Sequence, residues 1–127
     1  MILNHIALAC SSEEGSDRFY RDLLGLTKVR SFVVPADLVK NIFDLDVECR
    51  VVDYGNEDLK FEIFLVGDTK PRKGFNHVCL DVKNREGLIK KCTEMGVEMV
   101  KLPKGTDDIY LFIRDFDGNL FEVKEGG

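Results

Sequence analysis

The two histidines of this 127-residue chain stand at equivalent places in an internal repeat. The letters NHI at 4–6 recur as NHV at 76–78, and FEI at 61–63 recurs as FEV at 121–123. Imidazole nitrogens and carboxylate oxygens are the ligands that borderline divalent metal ions prefer, and two carboxylates balance the charge of such an ion. The repeat therefore predicts one metal site with four ligands: His5, Glu62, His77 and Glu122.

Strand periodicity favours this interpretation over solitary, solvated side chains. Side chains alternate between the two faces of a strand, so residues at even spacing share a face. The neighbours of Glu62 and Glu122 on their strands are aliphatic or aromatic, which predicts that helices cover the opposite face. The four candidate ligands then lie on the face left open, together with the predicted substrate-binding residues Phe64, Tyr110, Phe112 and Arg114.

The elements that position these residues follow the order strand, helix and three strands, twice over. A serine and two glutamates at 12–14 start the first helix, and glycines end both helices. The predicted first-half strands are 2–9, 28–34, 47–54 and 59–66, with Phe19, Leu23 and Leu24 as the buried stripe of the helix. The predicted second-half elements are strands 76–82, 98–101, 109–114 and 120–124, and helix 85–95 with Leu88, Ile89 and Cys92 inward. Tight turns are predicted at 54–58 and 115–119.

The first half carries about a dozen extra residues. The histidines are 77 − 5 = 72 positions apart and the glutamates 122 − 62 = 60. Residues 35–45 have helical spacing of their apolar side chains, so we predict an added helix there. Such a helix either shapes a substrate entrance or closes one end of the sheet. The sequence predicts one domain, 1–127, with module one at about 1–67, a linker at about 68–74 and module two at about 75–125.

Composition excludes several classes of function. The net charge of −5, without a basic stripe, argues against nucleic acid as a partner. No apolar run approaches the roughly 20 residues that span a bilayer, and no secretory signal is visible, so we expect a cytoplasmic protein that does not bind membranes. The four cysteines lack zinc-finger spacing and are expected to be small buried hydrophobes. Cys79, two residues from His77, is the one candidate nucleophile.

Three segments carry a family resemblance: NHIALAC…DRFYRDLLGL, FNHVCLDV and IRDFDGNLFEVKE. They resemble the vicinal oxygen chelate superfamily, which includes glyoxalase I, methylmalonyl-CoA epimerase, extradiol dioxygenases and the fosfomycin and bleomycin resistance proteins. The resemblance implies an α+β fold of two βαβββ modules, whose curved mixed sheets form a metal-binding cleft with the helices on the outer face. It also places His5, Glu62, His77 and Glu122 on the metal-ligand positions of glyoxalase I.

The resemblance implies a metal-dependent lyase or isomerase of the glyoxalase I type (lactoylglutathione lyase-like). In that chemistry a proton moves through a metal-bound enediolate of a small α-oxygenated substrate, with Glu122 as the first candidate base and Glu62 as the second. The implied cofactor is nickel, zinc or cobalt, and a homodimer is expected. Ala9 and Val66 replace residues that bind glutathione in bacterial glyoxalase I.

A different anion would then be bound by a basic residue, with these candidates: Arg30, Arg50, Arg114 and Lys124. Two alternatives stay open for the function. One is a non-catalytic small-molecule or antibiotic-binding protein of the bleomycin resistance type. The other is a methylmalonyl-CoA epimerase-like isomerase.

Overall fold

A computed structural model describes residues 1–68 and 74–126. The chain divides into two compact units, Met1–Thr69 (unit 1) and Lys70–Gly127 (unit 2). Most of the predicted linker 68–74 lies outside the described residues.

Unit 1 is a mixed sheet with helices inserted after its first and second strands. Its elements are β1 (Ile6–Cys10), α1 (Glu13–Ser16) with a π-helical continuation (Asp17–Leu23), β2 (Thr27–Val34), α2 (Ala36–Phe43), β3 (Cys49–Gly55) and β4 (Lys60–Leu65). The strands lie in the order β1-β4-β3-β2, with β1 parallel to β4 and the other pairs antiparallel. The predicted added helix is confirmed as α2.

Unit 2 repeats this plan without the added helix. Its elements are β5 (Val78–Val82), α3 (Arg85–Met95), β6 (Met99–Lys104), β7 (Asp108–Arg114) and β8 (Leu120–Glu125). The strand order is β5-β8-β7-β6, and the first pair is again parallel. The predicted α+β fold of two βαβββ modules is therefore confirmed.

Local side-chain bonds fix where the helices begin and end. The Ser12 hydroxyl accepts a hydrogen bond from the Gly15 N–H at 3.1 Å, and the Asn84 side chain accepts one from the Gly87 N–H at 2.9 Å. Gly96, at φ 70°, ends α3 in the left-handed conformation that glycine adopts without strain. Leu88 and Cys92 are buried on α3 as predicted, and Ile89 is half-buried.

The buried stripe of the first helix differs from the prediction. Phe19 and Leu23 are buried as predicted, but Tyr20 is buried as well and Leu24 is only half-buried. The cause is the π-helical continuation, whose i→i+5 bonds shift the angular spacing of side chains away from 3.6 residues per turn. The Tyr20 ring packs on Phe61 with centroids 5.4 Å apart, which places this helix on that face of the sheet.

Both predicted tight turns are present and each is held by one side chain. The Asn56 amide oxygen accepts hydrogen bonds from the backbone N–H groups of Asp58 and Leu59 at 2.8 and 3.0 Å. Asp115 does the same for Asp117 and Asn119 at 2.9 and 2.8 Å. These bonds satisfy turn N–H groups that no strand partner reaches.

Two strand predictions are wrong at their starts. The first strand begins at Ile6, not at residue 2, and its parallel pairing with β4 begins at Ile6 opposite Phe61. The fifth strand likewise begins at Val78, opposite Phe121. His5 and His77 therefore lie immediately before their strands rather than within them.

In the part of the chain that the structure describes, no helix is long and apolar enough to cross a membrane. All four cysteines are free thiols, and three of them are buried as expected: Cys10, Cys49 and Cys92.

Candidate metal centre

Unit 1 brings its histidine and glutamate together. The Nε2 of His5 lies 3.5 Å from Oε1 of Glu62. The side chain of His5 is 37% exposed and that of Glu62 only 12%, so the imidazole lies at the surface above a largely buried carboxylate. The other ring nitrogen, Nδ1, lies 2.8 Å from the side-chain oxygen of Asn4.

Unit 2 repeats this arrangement with the same separation. The Nε2 of His77 lies 3.5 Å from Oε1 of Glu122, and the histidine side chain is again 37% exposed. Its Nδ1 lies 2.7 Å from the backbone carbonyl oxygen of Phe75. Both partners are oxygens without a proton to give, so Nδ1 is the donor in each contact, and Nε2 is the ring nitrogen that faces the glutamate.

This geometry fits a metal ion better than a direct hydrogen bond. An N–H···O bond is usually 2.7–3.2 Å long, and 3.5 Å exceeds that range. Two ligand atoms about 2.1 Å from one ion lie roughly 3.0–3.4 Å apart for angles from 90° to the tetrahedral value, so the 3.5 Å separation in each pair needs only a small adjustment to bind an ion. The Nδ1–H···O bonds supply the orientation that ligating histidines ordinarily receive from a second residue. Each pair could thus hold a divalent cation through one nitrogen and one oxygen.

The register of unit 1 defines a row of side chains on one face of its sheet. Glu62 pairs with Ala7 on one side and with Asp53 on the other, and Asp53 pairs with Arg30. We call the face that carries this row the Glu62 face. Ile63 is fully buried on the opposite face, where the first helix packs, as strand periodicity predicts.

Phe64 lies on the Glu62 face and contacts the added helix. Its ring meets that of Phe43, at the end of α2, edge to face at a centroid distance of 5.4 Å. Phe43 remains 47% exposed. Two roles were predicted for the added helix, and this contact favours the substrate entrance. The exposed Phe43 ring of α2 packs on Phe64, which lies two residues from Glu62 on β4.

In unit 2 the other predicted substrate residues adjoin Glu122. The Phe112 ring lies 5.8 Å from the His77 ring, edge to face, and Phe112 is the register partner of Glu122. Tyr110 and Glu122 line a shallow cavity of about 310 Å³ together with Lys104 and Lys124. The Lys104 ammonium lies 5.2 Å from the centre of the Tyr110 ring.

The basic side chains predicted to bind an anion are placed differently from one another. Arg114 bonds within unit 2, since Nη1 donates to the Gly118 carbonyl at 2.7 Å and Nε lies 3.2 Å from Glu98. Arg50 lies on the helix face and pairs with Glu13 at 3.0 Å. Lys124 is exposed beside the cavity.

Arg30 is the member of this group that lies on the Glu62 face, and its partner Asp53 was not singled out by sequence reasoning. Asp53 is fully buried and its Oδ2 accepts a hydrogen bond from Arg30 Nε at 2.8 Å. An aspartate in a strand is ordinarily expected at the surface, so no local signal marks this one as buried. The one available clue is its register position opposite Glu62.

Cys79 is exposed and is the register partner of Glu122. Partial burial and the charge of that glutamate raise the pKa of the thiol. A raised pKa disfavours the thiolate that nucleophilic catalysis requires. The environment of Cys79 therefore does not favour the role of catalytic nucleophile for which the sequence made it a candidate.

Comparison with known proteins identifies a family for this chain. Residues 2–123 match the Glyoxalase/Bleomycin resistance protein/Dioxygenase superfamily. The mitochondrial methylmalonyl-CoA epimerase of Mus musculus is 27% identical over 137 residues, which cover 97% of this chain and 72% of that protein.

Solved structures share the fold of this chain. A glyoxalase family protein from Enterococcus faecalis superposes with a TM-score of 0.74 at 22% identity, covering 98% of this chain and 97% of that one. The fosfomycin resistance protein FosX from Listeria monocytogenes, complexed with Mn(II) and sulfate, superposes with a TM-score of 0.71 at 23% identity, covering 100% and 95%. The resemblance noted in the sequence is confirmed: this chain belongs to the glyoxalase, bleomycin resistance protein and dioxygenase superfamily.

Proposed function

We propose that this protein is a metal-dependent lyase or isomerase that moves a proton next to a carbonyl group of a small α-oxygenated substrate. The observation that carries the proposal is the repeated pair, in which a histidine Nε2 lies 3.5 Å from a glutamate Oε1 in each unit. We propose that both pairs reach one divalent ion, within one chain or across a homodimer, with these ligands: His5, Glu62, His77 and Glu122.

The donor set suits nickel, zinc or cobalt, and manganese is the ion named with the related FosX protein. When bound, such an ion would polarise the oxygens of the substrate and lower the cost of negative charge on them. Within each unit the Nδ1 contact holds the imidazole with Nε2 facing its own glutamate, so each pair would need little reorganisation on binding.

The glutamates have a second role in the proposal. One carboxylate takes the proton from the carbon next to the carbonyl and returns it to the same or the neighbouring carbon, which leaves the enzyme unchanged after each turnover. Glu122 is the first candidate because its side chain is more exposed than that of Glu62, 19% against 12%, and because it lines the cavity of unit 2. Glu62 is the second candidate.

The apolar side chains around each pair would limit the size of the substrate and exclude water. Phe64 lies two residues from Glu62 on β4, and Phe112 pairs with Glu122 across β7 and β8. Tyr110 lines the cavity of unit 2. Arg114 stays a proposed substrate contact, although its present bonds are to Gly118 and Glu98.

Among reactions of this type, the epimerase similarity favours inversion at a carbon next to a thioester or acid carbonyl. A glutathione-dependent lyase shares the same first step, removal of the proton from that carbon. The two reactions differ only in the carbon that receives the proton, so a test of proton removal addresses both.

The test is exchange of that proton with deuterium from solvent. Metal-loaded protein in D₂O is incubated with methylmalonyl-CoA or with the methylglyoxal–glutathione hemithioacetal, and loss of the proton signal is followed by NMR. We expect exchange with at least one substrate, and loss of roughly a hundredfold or more in rate for Glu122→Gln, the size of a general-base contribution. Glu94→Gln, an exposed position on α3, is the matched control and should retain the full rate. No exchange with either substrate, or equal rates for the two variants, would contradict the proposal.

A further inference from the structure

Asp53 is a buried carboxylate that is only half satisfied. Its side chain lies in the middle of the unit 1 sheet and is fully buried. Oδ2 accepts the hydrogen bond from Arg30, whereas Oδ1 has no hydrogen-bond partner in the described structure. Most buried polar atoms have a hydrogen-bond partner, so a buried carboxylate oxygen without one calls for an explanation.

The fold itself does not require this pair. In unit 2 the register partners run from Cys79 to Glu122, Phe112 and Val100. The corresponding row of unit 1 runs from Ala7 to Glu62, Asp53 and Arg30. The repeat therefore keeps the glutamate in both units but has a phenylalanine and a valine in unit 2 where unit 1 has the ion pair. A sheet of the same topology forms with apolar side chains at these positions.

The guanidinium of Arg30 is anchored yet available. Its side chain is 59% exposed and its central carbon lies 4.7 Å from the centre of the Phe32 ring. Asp53 engages Nε alone at 2.8 Å, rather than the two-pronged contact that would satisfy both carboxylate oxygens. The terminal nitrogens make no hydrogen bond to any described residue of unit 1. The hydrogen bond that Arg30 donates to Asp53 and the charge of that carboxylate raise the pKa of Arg30, with a smaller contribution from the charge of Glu62.

We propose that Arg30, held in place by Asp53 and Phe32, binds an oxyanion of the substrate through its terminal nitrogens. The inference rests on the proposed function and specifies its substrate class: a small α-oxygenated compound that also carries a carboxylate, phosphate or phosphonate group. Arg30 stands two strands from Glu62, roughly 10 Å between backbones, and its side chain spans part of that distance. In the substrate, the anionic group that Arg30 binds is therefore only a few bonds away from the oxygens that lie near Glu62. Asp53 acts through Arg30 and is a positioning residue.

The test measures anion binding on metal-free protein, so that it does not depend on catalysis. Binding of inorganic phosphate, methylphosphonate and acetate is measured by calorimetric titration of the parent and of each variant. In the proteins that retain Arg30, its Nε–H resonance is also followed by ¹⁵N NMR. We expect this resonance to move on adding at least one probe, and Arg30→Gln to weaken that binding tenfold or more. Arg21→Gln, an exposed arginine of the first helix that pairs with Asp22, is the matched control and should bind as the parent does.

The three probes separate the two sources of the oxyanion. Preference for phosphate and methylphosphonate indicates a phosphorylated or phosphonate substrate, and preference for acetate indicates a carboxylic acid. Asp53→Asn should weaken oxyanion binding several-fold, whereas a merely structural aspartate would leave the affinity unchanged. If Asp53→Asn does not fold, Arg30→Gln alone decides whether the oxyanion site exists. The Arg30 side chain is mostly exposed, so its replacement should not disturb folding.

Each proposal can fail without the other. Binding that is equal in the parent and in Arg30→Gln, or no movement of the Arg30 resonance with any probe, overturns this inference even if proton exchange is found. Oxyanion binding that depends on Arg30, in a protein without proton exchange, overturns the proposed reaction and leaves the oxyanion site standing.

Discussion

Removing the side chain of Asn4 should weaken metal binding, whereas removing that of Asn76 should not. The repeat suggests that the two asparagines are equivalent, but their contacts differ. The Asn4 side-chain oxygen lies 2.8 Å from Nδ1 of His5, whereas Nδ1 of His77 is engaged by the backbone carbonyl of Phe75. A side-chain substitution at position 76 leaves that carbonyl in place.

The size of the effect follows from the exposure of His5. Loss of the partner that orients a ligating histidine typically weakens metal affinity by 10–100-fold. The His5 side chain is 37% exposed, so water can replace the lost acceptor in part. We therefore expect Asn4→Ala to lie at the lower limit, about tenfold or ~1.4 kcal/mol. Both asparagines are exposed, so neither substitution should lower the stability of the fold.

The assay is competition for zinc against a chromophoric chelator, with both variants and the parent measured side by side. We expect the parent and Asn76→Ala to bind zinc with equal affinity, and both to bind it about tenfold more tightly than Asn4→Ala. Equal weakening by the two substitutions would refute the reasoning, because it would mean that the asparagines act alike. No weakening by either would show that the Nδ1 bond of His5 does not support metal binding.

Three further predictions concern the stability of the fold. Tyr54→Phe removes the bond that the buried hydroxyl donates to Asp17 at 2.6 Å, and should cost about 1.5–3 kcal/mol in urea unfolding; a loss under ~0.5 kcal/mol would contradict the assigned bond. Stability should fall as pH drops through the folded pKa values of two carboxyls. A hydrogen bond from Lys28 lowers the pKa of Glu13 below 4.5, and for Asp17 bonds from Tyr54 and Lys28 outweigh burial and lower it below 3.8. In acid the unfolded chain therefore binds more protons than the folded one. The two carboxyls contribute fully to the free energy of unfolding above their ordinary pKa values, and this contribution is lost as the pH falls; urea midpoints that do not change between neutral and acidic pH would contradict it. Gly96→Ala forces an alanine to φ 70° at the end of α3 and should cost about 1 kcal/mol, although its Cβ would meet nothing within 4 Å; an unchanged midpoint would contradict that cost.

Much of the fold is predictable from the sequence because its signals are local. The α3 bounds are predicted correctly, since Asn84 caps one end and Gly96 ends the other. The two turns are predictable for the same reason. The start of β1 is not, because it depends on where pairing with the distant strand β4 begins, which is a tertiary property.

The same distinction applies within the candidate site. The repeat identifies the two histidines and two glutamates, and the structure brings each histidine to its glutamate at 3.5 Å. Which second residue orients each imidazole depends on loop conformation before the strand and could not be predicted. The Arg30–Asp53 pair was also missed as a pair, because it joins two strands through register and because burial of Asp53 is a tertiary property.

The central claim is that both His–Glu pairs serve one metal ion, and calorimetric titration with zinc tests it most directly. Metal-free parent protein, His5→Ala and His77→Ala are titrated in parallel, with Asn76→Ala as the control. We predict that the parent binds one zinc ion per chain and that its affinity for zinc falls at least a hundredfold when either histidine is removed. Two ions per chain, undiminished binding in either histidine variant, or no binding by the parent would contradict it.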